Sequence, residues 1–223
     1  SVDYTTYVNP FIGTDFTGNT YPGAQAPFGM VQLSPDNGLP GWDRISGYFY
    51  PDSTIAGFSH THLSGTGAGD LYDISFMPVT LPYKEAEAPL GIHSRFSHDD
   101  ESATAGYYQV LLKDYNINVE LTATERCGIQ RYTFPEAQAA IFLNLKEAMN
   151  WDFTNDSRIE IVDSVTIQGY RFSDGWARDQ HIYFRTRFSK PFTSVQIDTT
   201  AIIKDGKHIG TAAIVRFDFN TKK

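Results

Sequence analysis

The sequence predicts an all-β protein, a large two-sheet antiparallel β-sandwich with long N-terminal loops. Three observations indicate this fold class. The second half of the chain is a series of short alternating segments, as expected for half-buried strands. Aromatic residues make up 14% of the 223 residues, a composition that favours strands. No long amphipathic pattern with the helical period is present.

The N-terminal part, up to about Pro82, predicts the long loops. It is rich in Gly, Pro, Asn, Asp and Ser, with short apolar pieces between them. Such a composition is typical of turns and short strands. Because ordered long loops tend to carry binding residues, this part is where a functional site is expected.

From Gly106 onward the chain predicts the sandwich strands. In His181–Phe188, Ile182, Phe184 and Phe188 share one face, which is the period of two of a half-buried strand. Asp205–Gly206 separates two extended runs and predicts a hairpin turn. The nine segments predicted as strands are YYQVLLKD, INVELTAT, GIQRYTF, AAIFLNL, RIEIVD, SVTIQGY, HIYFRTRF, TSVQID and AAIVRFDF.

Charge and cysteine content exclude several classes of function. The net charge is −8 and no run of Lys or Arg stands out, which argues against nucleic acid and anionic membrane surfaces as partners. No apolar run has membrane-spanning length. Cys127 is the only cysteine, so an intrachain disulfide and a zinc site with two or more cysteines are excluded. We expect Cys127 to be a small buried residue of a strand. The chain starts at Ser1 without a methionine, as a processed or trimmed chain does.

The stretch GFSHTHLSGTGAGD, residues 57–70, is the most distinctive motif. A metal site on His60 and His62 lacks ligands, since no acid follows within a few positions. A phosphate cradle lacks both a Gly-Lys-Ser/Thr motif and a following helix. A Ser-His-Asp triad of Ser59, His60 and Asp70 lacks a nucleophile elbow. Two interpretations stay open: a polar loop that binds a neutral, hydroxyl-rich ligand, or a buried turn whose histidines bond to backbone carbonyls.

Four blocks in one order carry a resemblance to a known family. They are YVNPFIGT, TYPGAQAPFGMVQLSPD, GWDRISGYFY and IAGFSHTHLSGTGAGDLYDISFMP, all within residues 7–78. Together they resemble the N-terminal domain of bacterial exo-α-mannosidases of glycoside hydrolase family 92. One stretch departs from the family pattern: TDFTGNT, Thr14–Thr20, stands where members often carry a run rich in Gly and His. Asn19, in this stretch, is a further candidate for substrate binding, and the departure bears on linkage preference.

The resemblance implies the architecture and activity of a larger enzyme. Residues 1–223 would be an N-terminal β-sandwich domain, with a catalytic (α/α)6 helical domain of the same polypeptide downstream of this chain. Such enzymes depend on calcium, bound by the helical domain, and release non-reducing-end mannose with inversion from α-mannosides such as N-glycans or mannan. The α-1,2 linkage is the expected target. The resemblance also implies export, to the periplasm or the cell surface, and no catalytic residue in this chain.

The resemblance assigns the sandwich loops to the mannose pocket, and Trp42 is the foremost candidate. An exposed indole is a natural platform for the apolar face of a sugar; the alternative is a lid over the sandwich core. Asp43 would accept hydrogen bonds from mannose hydroxyls, or would only hold Arg44. Trp151 is interpreted as core, or as surface buried against the helical domain.

The remaining candidates lie in the loops around the two histidines. His60 and His62 match the family's His-Thr-His loop, and the period of two predicts that both face the same side, whether cleft or interior. Ser64 and Gly65 would supply hydroxyl and backbone contacts. Tyr21 would belong to the turn that forms the pocket wall.

Three functions from different classes remain. The first is a domain of an α-mannosidase that is inactive alone and contributes to substrate binding. The second is a stand-alone carbohydrate-binding module, which predicts sugar affinity for the isolated chain. The third is a structural domain that braces the helical barrel and leaves an apolar face exposed without it.

Overall fold

The structure, a computed structural model, describes residues 2–87, 90–146, 150–204 and 207–220. Almost all of its regular structure is antiparallel β-sheet, and three single-turn 3-10 helices lie at Tyr4–Tyr7, Trp42–Arg44 and His98–Asp100. No helix in these ranges is long and apolar enough to span a membrane. The predicted all-β antiparallel sandwich is confirmed.

A seven-stranded sheet forms the centre of the fold. Its strands lie in the order β1-β2-β4-β5-β11-β16-β15. They are β1 Ala24–Gln25, β2 Gln32–Asp36, β4 Gly57–Ser59, β5 Ser75–Thr80, β11 Ala139–Asn144, β15 Phe192–Lys204 and β16 Lys207–Phe219. β15 and β16 pair up to Lys204 and Lys207; the hairpin turn predicted at Asp205–Gly206 lies outside the described residues.

Two further sheets pack on opposite faces of the central one. A four-stranded sheet contains β7 Glu101–Thr104, β8 Tyr107–Leu112, β9 Ile117–Ala123 and β10 Gly128–Thr133. A three-stranded sheet contains β12 Phe153–Ile161, β13 Thr166–Asp174 and β14 Gln180–Arg187. A two-stranded ribbon, β3 Thr54–Ile55 with β6 Ser94–Arg95, completes the fold.

The layering explains the sequence patterns. β8 belongs to the four-stranded sheet, which packs on the central sheet with one face. Its burial therefore alternates: Tyr108, Val110 and Leu112 enter the core while their neighbours stay partly exposed. β11 lies between two sheets, and Ala139–Leu143 are all buried. A strand covered on both faces needs apolar residues at every position, which is why AAIFL is an uninterrupted apolar run.

The prediction for Cys127 is wrong. Cys127 is exposed and lies in the turn between β9 and β10, not in a strand. Its carbonyl accepts a hydrogen bond from the Thr124 amide at 2.8 Å, and its own amide donates to the Thr124 hydroxyl at 3.2 Å. These local bonds close the turn and leave the thiol at the surface.

Candidate functional site

The histidine segment continues the central sheet beyond β4. The His60 amide donates to the Asp73 carbonyl at 2.9 Å, and the Gln32 amide donates to the His60 carbonyl at 2.9 Å. These bonds place His60 between β2 and the segment of Asp73, and the chain bends at His60 directly after β4. His60 meets β10 at Gly128, whereas the Thr61 hydroxyl bonds to Asp73 on the side of β13. His62 bonds to Ser59 and Asp36 instead, so the prediction that both histidines face the same side stays a prediction.

His62 is a buried structural residue. Only 3% of it is exposed. Its Nδ1 lies 2.7 Å from the Gln32 carbonyl oxygen, and its Nε2 lies 2.8 Å from Asp36 Oδ1 and 3.0 Å from Ser59 Oγ. A carbonyl only accepts, so Nδ1 carries a proton. Ser59 and Asp36 meet the same nitrogen, which is not the arrangement of a Ser-His-Asp triad, where acid and nucleophile occupy opposite ring nitrogens.

His60 is held by its own carbonyl partner. Its Nδ1 lies 2.7 Å from the Ile74 carbonyl oxygen, and its ring packs edge-on against Phe76 at 5.9 Å. Burial lowers the pKa of His60 and favours the neutral imidazole. The second of the two open interpretations, histidines that bond to backbone carbonyls, therefore describes both rings. No group of three His, Cys, Asp or Glu side chains able to hold a metal occurs among the described residues.

Trp42 lies on the surface, as predicted for a sugar platform. Its side chain is in the Trp42–Arg44 helix and is 56% exposed. A methyl group added to Gly67 would lie 3.4 Å from the edge of the indole, so the ring rests over the glycine loop. The Trp42 and Trp151 rings lie 6.1 Å apart and are tilted by 52°. Trp151 is 50% exposed, so its interpretation as a core residue is wrong.

Neighbouring polar groups fix the Trp42 turn. The Gly41 amide donates to Asn150 Oδ1 at 2.8 Å. Arg44 binds Asp52 through two hydrogen bonds of 2.6 and 2.5 Å. Asp43 is exposed, and because Arg44 bonds to Asp52 instead, Asp43 is not the residue that holds Arg44.

A cavity of about 450 Å³ lies beside the segment that follows His62 and leads into the glycine loop. Three of the predicted site residues line it, namely Tyr21, His62 and Ser64. The Tyr21 ring packs at 5.1 Å from the His62 ring, and its hydroxyl donates to Gln25. Tyr21 therefore lies in the wall of this cavity, and its role in a mannose pocket stays a prediction. His62 contributes only a ring whose nitrogens are already bonded.

Asn19 and Gly65 shape the same region through the backbone. The Gly65 amide donates to the Asn19 carbonyl at 2.6 Å, and both residues have positive φ, 69° and 52°. Ser64 and Gly65 are exposed, while Asn19 is buried and its Oδ1 has no hydrogen-bond partner among the described residues. Five of the eight predicted site residues do not line the cavity: Asn19, Trp42, Asp43, His60 and Gly65. Trp42 contacts the glycine loop at Gly67 instead.

Sequence reasoning missed the residues that anchor the loop. Asp70 is buried, and its two carboxylate oxygens accept the amides of Trp176 at 2.8 Å and Ala177 at 2.7 Å. The Trp151 amide donates to the Gly69 carbonyl at 3.1 Å. The only sequence signal was the acid that ends the glycine run, and it does not reveal partners more than a hundred residues away.

Comparisons with known proteins agree with the motif blocks. The model of the glycosyl hydrolase family 92 N-terminal domain matches residues 7–223. The family GH92 α-mannosidase of Bacteroides thetaiotaomicron, solved in complex with mannoimidazole, is 38% identical with a TM-score of 0.88, over 99% of this chain and 31% of that one. A family GH92 inverting mannosidase of the same organism is 26% identical with a TM-score of 0.77, over 100% of this chain and 30% of its own.

A curated relative is more distant. It is an uncharacterized secreted glycosidase of Arthroderma benhamiae, 28% identical over 144 residues. The match covers 61% of this chain and 18% of that relative. This chain thus spans about a third of the length of the solved relatives and less than a fifth of the curated one.

Proposed function

Because this chain belongs to the glycosyl hydrolase family 92 N-terminal domain family, we propose that it is the N-terminal domain of an exo-acting α-mannosidase and lines part of the mannose pocket. The reaction is inverting hydrolysis of a non-reducing-end mannose, with α-1,2-linked N-glycan or mannan chains as substrates. The observation that carries the proposal is the exposed Trp42 indole, which rests over the glycine loop at Gly67 beside the cavity of Tyr21, His62 and Ser64.

The site chemistry suits a neutral, hydroxyl-rich ligand. An indole face packs on the apolar C–H face of a pyranose. The exposed Ser64 hydroxyl and the backbone of Gly65 offer hydrogen bonds without net charge, and the exposed Asp43 carboxylate offers acceptors near Trp42. Asn19 and Tyr21 act from the inner side, through backbone and wall contacts.

The acid and base of the reaction belong to another part of the polypeptide. Inversion needs two carboxyl groups about 6.5–9.5 Å apart with a water between them. The four buried carboxylates near the loop are all committed: Asp36 to His62, Asp70 to two amides, and Asp73 and Asp152 to Arg171. The catalytic acid and base would therefore come from a helical (α/α)6 domain, while residues 1–223 would bind substrate and brace that domain.

The proposed calcium ion, like the catalytic acid and base, would be bound by the helical domain. The described residues include no cluster that suits a divalent cation. The ligands would come from the helical domain, where a bound calcium would supply a positive charge next to the sugar hydroxyls. Nothing proposed here for this chain's residues depends on the ion.

An exposed apolar strip supports the bracing role. Tyr4, Tyr7, Ile12 and Phe16 near the N-terminus are each between 74% and 80% exposed. Several exposed large apolar side chains within one short segment are typical of an interaction surface, here one for the helical domain of the same polypeptide. Export, to the periplasm or the cell surface, is proposed because the curated relative is described as secreted.

The test of the pocket role is a Trp42→Ala substitution in the full-length polypeptide. We expect kcat/KM for α-1,2-mannobiose to fall at least about tenfold, which corresponds to about 1.4 kcal/mol of lost transition-state binding. Tyr183→Ala, an exposed aromatic on the outer face of β14, is the matched control and leaves kcat/KM unchanged. Equal kcat/KM for wild type and Trp42→Ala would contradict the proposal.

A further inference from the structure

The three tryptophans of this chain surround one loop, and all are exposed. Trp42 packs over Gly67, the Trp151 amide bonds to Gly69, and the Trp176 amide bonds to Asp70. Trp176 is the most exposed of the three, at 76%. Because the chain spans at most about 3.6 Å per residue, Gly67 and Asp70 lie within about 11 Å of each other. The loop positions that contact Trp42 and Trp176 are therefore only three residues apart.

The buried carboxylate of Asp70 holds the turn that carries Trp176, which lies between β13 and β14. Both oxygens of the buried Asp70 carboxylate accept amides of this turn, from Trp176 and Ala177. A Cβ on Gly175 would lie 2.1 Å from Asp70 Oδ1, so only glycine allows the turn to approach the carboxylate so closely. Charge-assisted hydrogen bonds are roughly twice as strong as neutral ones, so these two bonds fix the backbone from which the exposed Trp176 indole projects.

The surroundings of Trp176 favour a sugar over a protein surface as its ligand. Residues 176–179 are all exposed, and Arg178 and Asp179 flank the indole on the C-terminal side. A protein interface needs a contiguous apolar patch with a water-excluded centre. The Trp176 indole beside the charged Arg178 and Asp179 suits a pyranose, which offers an apolar face to the ring and hydroxyls to its neighbours.

From these contacts we infer that Trp176 forms an outer subsite that binds the leaving-group sugar of the α-mannoside, and that Asp70 is its positioning residue. The inference rests on the proposed function, in which the cleaved mannose lies at the Trp42 platform. Trp176 then acts on the sugar that follows the scissile bond. It contributes to the choice between a glycan chain and other leaving groups, and takes no part in proton transfer.

Two substrates distinguish leaving-group binding by Trp176 from a general effect of the substitution on activity. Both carry the same mannose, but α-1,2-mannobiose has a leaving-group sugar and α-mannosyl fluoride has none. In the full-length enzyme, Trp176→Ala is expected to lower kcat/KM for mannobiose about five- to tenfold, within the range of an aromatic stacking contact, and to leave the fluoride within twofold. Trp176→Phe keeps a ring and retains most of the mannobiose activity. Tyr183→Ala is the matched control and changes neither substrate.

The positioning role of Asp70 is tested through Gly175→Ala and Asp70→Asn. Both keep the indole and displace its turn, so both are expected to lower mannobiose turnover selectively, with fluoride turnover confirming that the enzyme is folded. An equal loss on both substrates in Trp176→Ala, or no loss on either, would overturn the inference. If wild-type enzyme releases no mannose from either substrate, the proposed function itself fails, which is a different result from a Trp176→Ala variant that matches an active wild type.

Discussion

The buried guanidinium of Arg171 offers the sharpest test of how the loops are held. Arg171 is 1% exposed and lies on β13 beneath the histidine and Trp151 segments. Its Nη1 is 2.6 Å from Asp73 Oδ1, its Nη2 is 2.6 Å from Asp152 Oδ2, and its Nε donates to Thr154 at 2.9 Å. Arg171→Met keeps an unbranched apolar stem and removes the charge and all three hydrogen bonds.

The magnitude follows from the burial of the partners. The Asp73 and Asp152 side chains are 0% exposed, so the substitution leaves two carboxylates without a cation in a dry interior. Removing one partner of a buried ion pair costs about 3–5 kcal/mol. For a protein of this size each kcal/mol lowers Tm by about 2–4 °C, which gives a decrease of about 6–20 °C.

Thermal unfolding at pH 7, followed by far-UV circular dichroism, measures this decrease. Arg185→Met is the matched control, because Arg185 is exposed on β14 and makes a single 3.2 Å bond to Gln168. Its Tm is expected to change by less than about 2 °C, in line with surface substitutions. An Arg171→Met protein that melts within 2 °C of wild type would refute the reasoning, since the carboxylates would then be compensated in some other way.

Two further predictions concern residues next to this network and the histidine. Burial raises the pKa of Asp152 to about 6, above its unfolded value of 3.8, so the folded state holds the extra proton between these pH values. Wild type should therefore lose stability relative to Asp152→Asn as pH rises from about 4 to 6; a constant difference in urea unfolding would contradict this. Gly47 has φ +88°, and an added Cβ would lie 2.4 Å from Asp36 Oδ1 and 3.0 Å from the His62 ring. Gly47→Ala should lower the free energy of unfolding by more than the roughly 1–2 kcal/mol of left-handed strain alone. That strain is measured with Gly106→Ala (φ +79°, nothing within 4 Å), and equal losses would contradict the clash.

The strands were predictable because, in a sheet with one buried face, apolar and polar residues alternate along the sequence itself. The nine predicted segments coincide with β8–β16, and Ile182 and Phe184 enter the core while Tyr183 and Arg185 face outward. The third layer was not predicted. AAIFL contains the signal, since a strand buried on both faces loses its alternation, but a short apolar run alone does not show how many sheets cover it.

The site was predictable where the residue type fixes the outcome. An indole in a glycine-rich loop has little core to enter, and Trp42 is exposed as expected. Residues whose role depends on distant partners were not predictable. Arg171 looks like any strand arginine in the sequence, yet its two acids lie 98 and 19 residues away and draw it into the interior. The two histidines were ambiguous for the same reason, because segments distant in the sequence supply the carbonyls of Gln32 and Ile74.

Release of mannose from α-1,2-mannobiose tests the central claim most directly. The assay compares residues 1–223 alone with the full-length polypeptide, each with calcium and with EDTA. The account predicts calcium-dependent turnover by the full-length polypeptide only, because the four buried carboxylates near the loop are committed to structural bonds. Turnover by residues 1–223 alone would contradict it and would return the acid and base to this chain's own carboxylates.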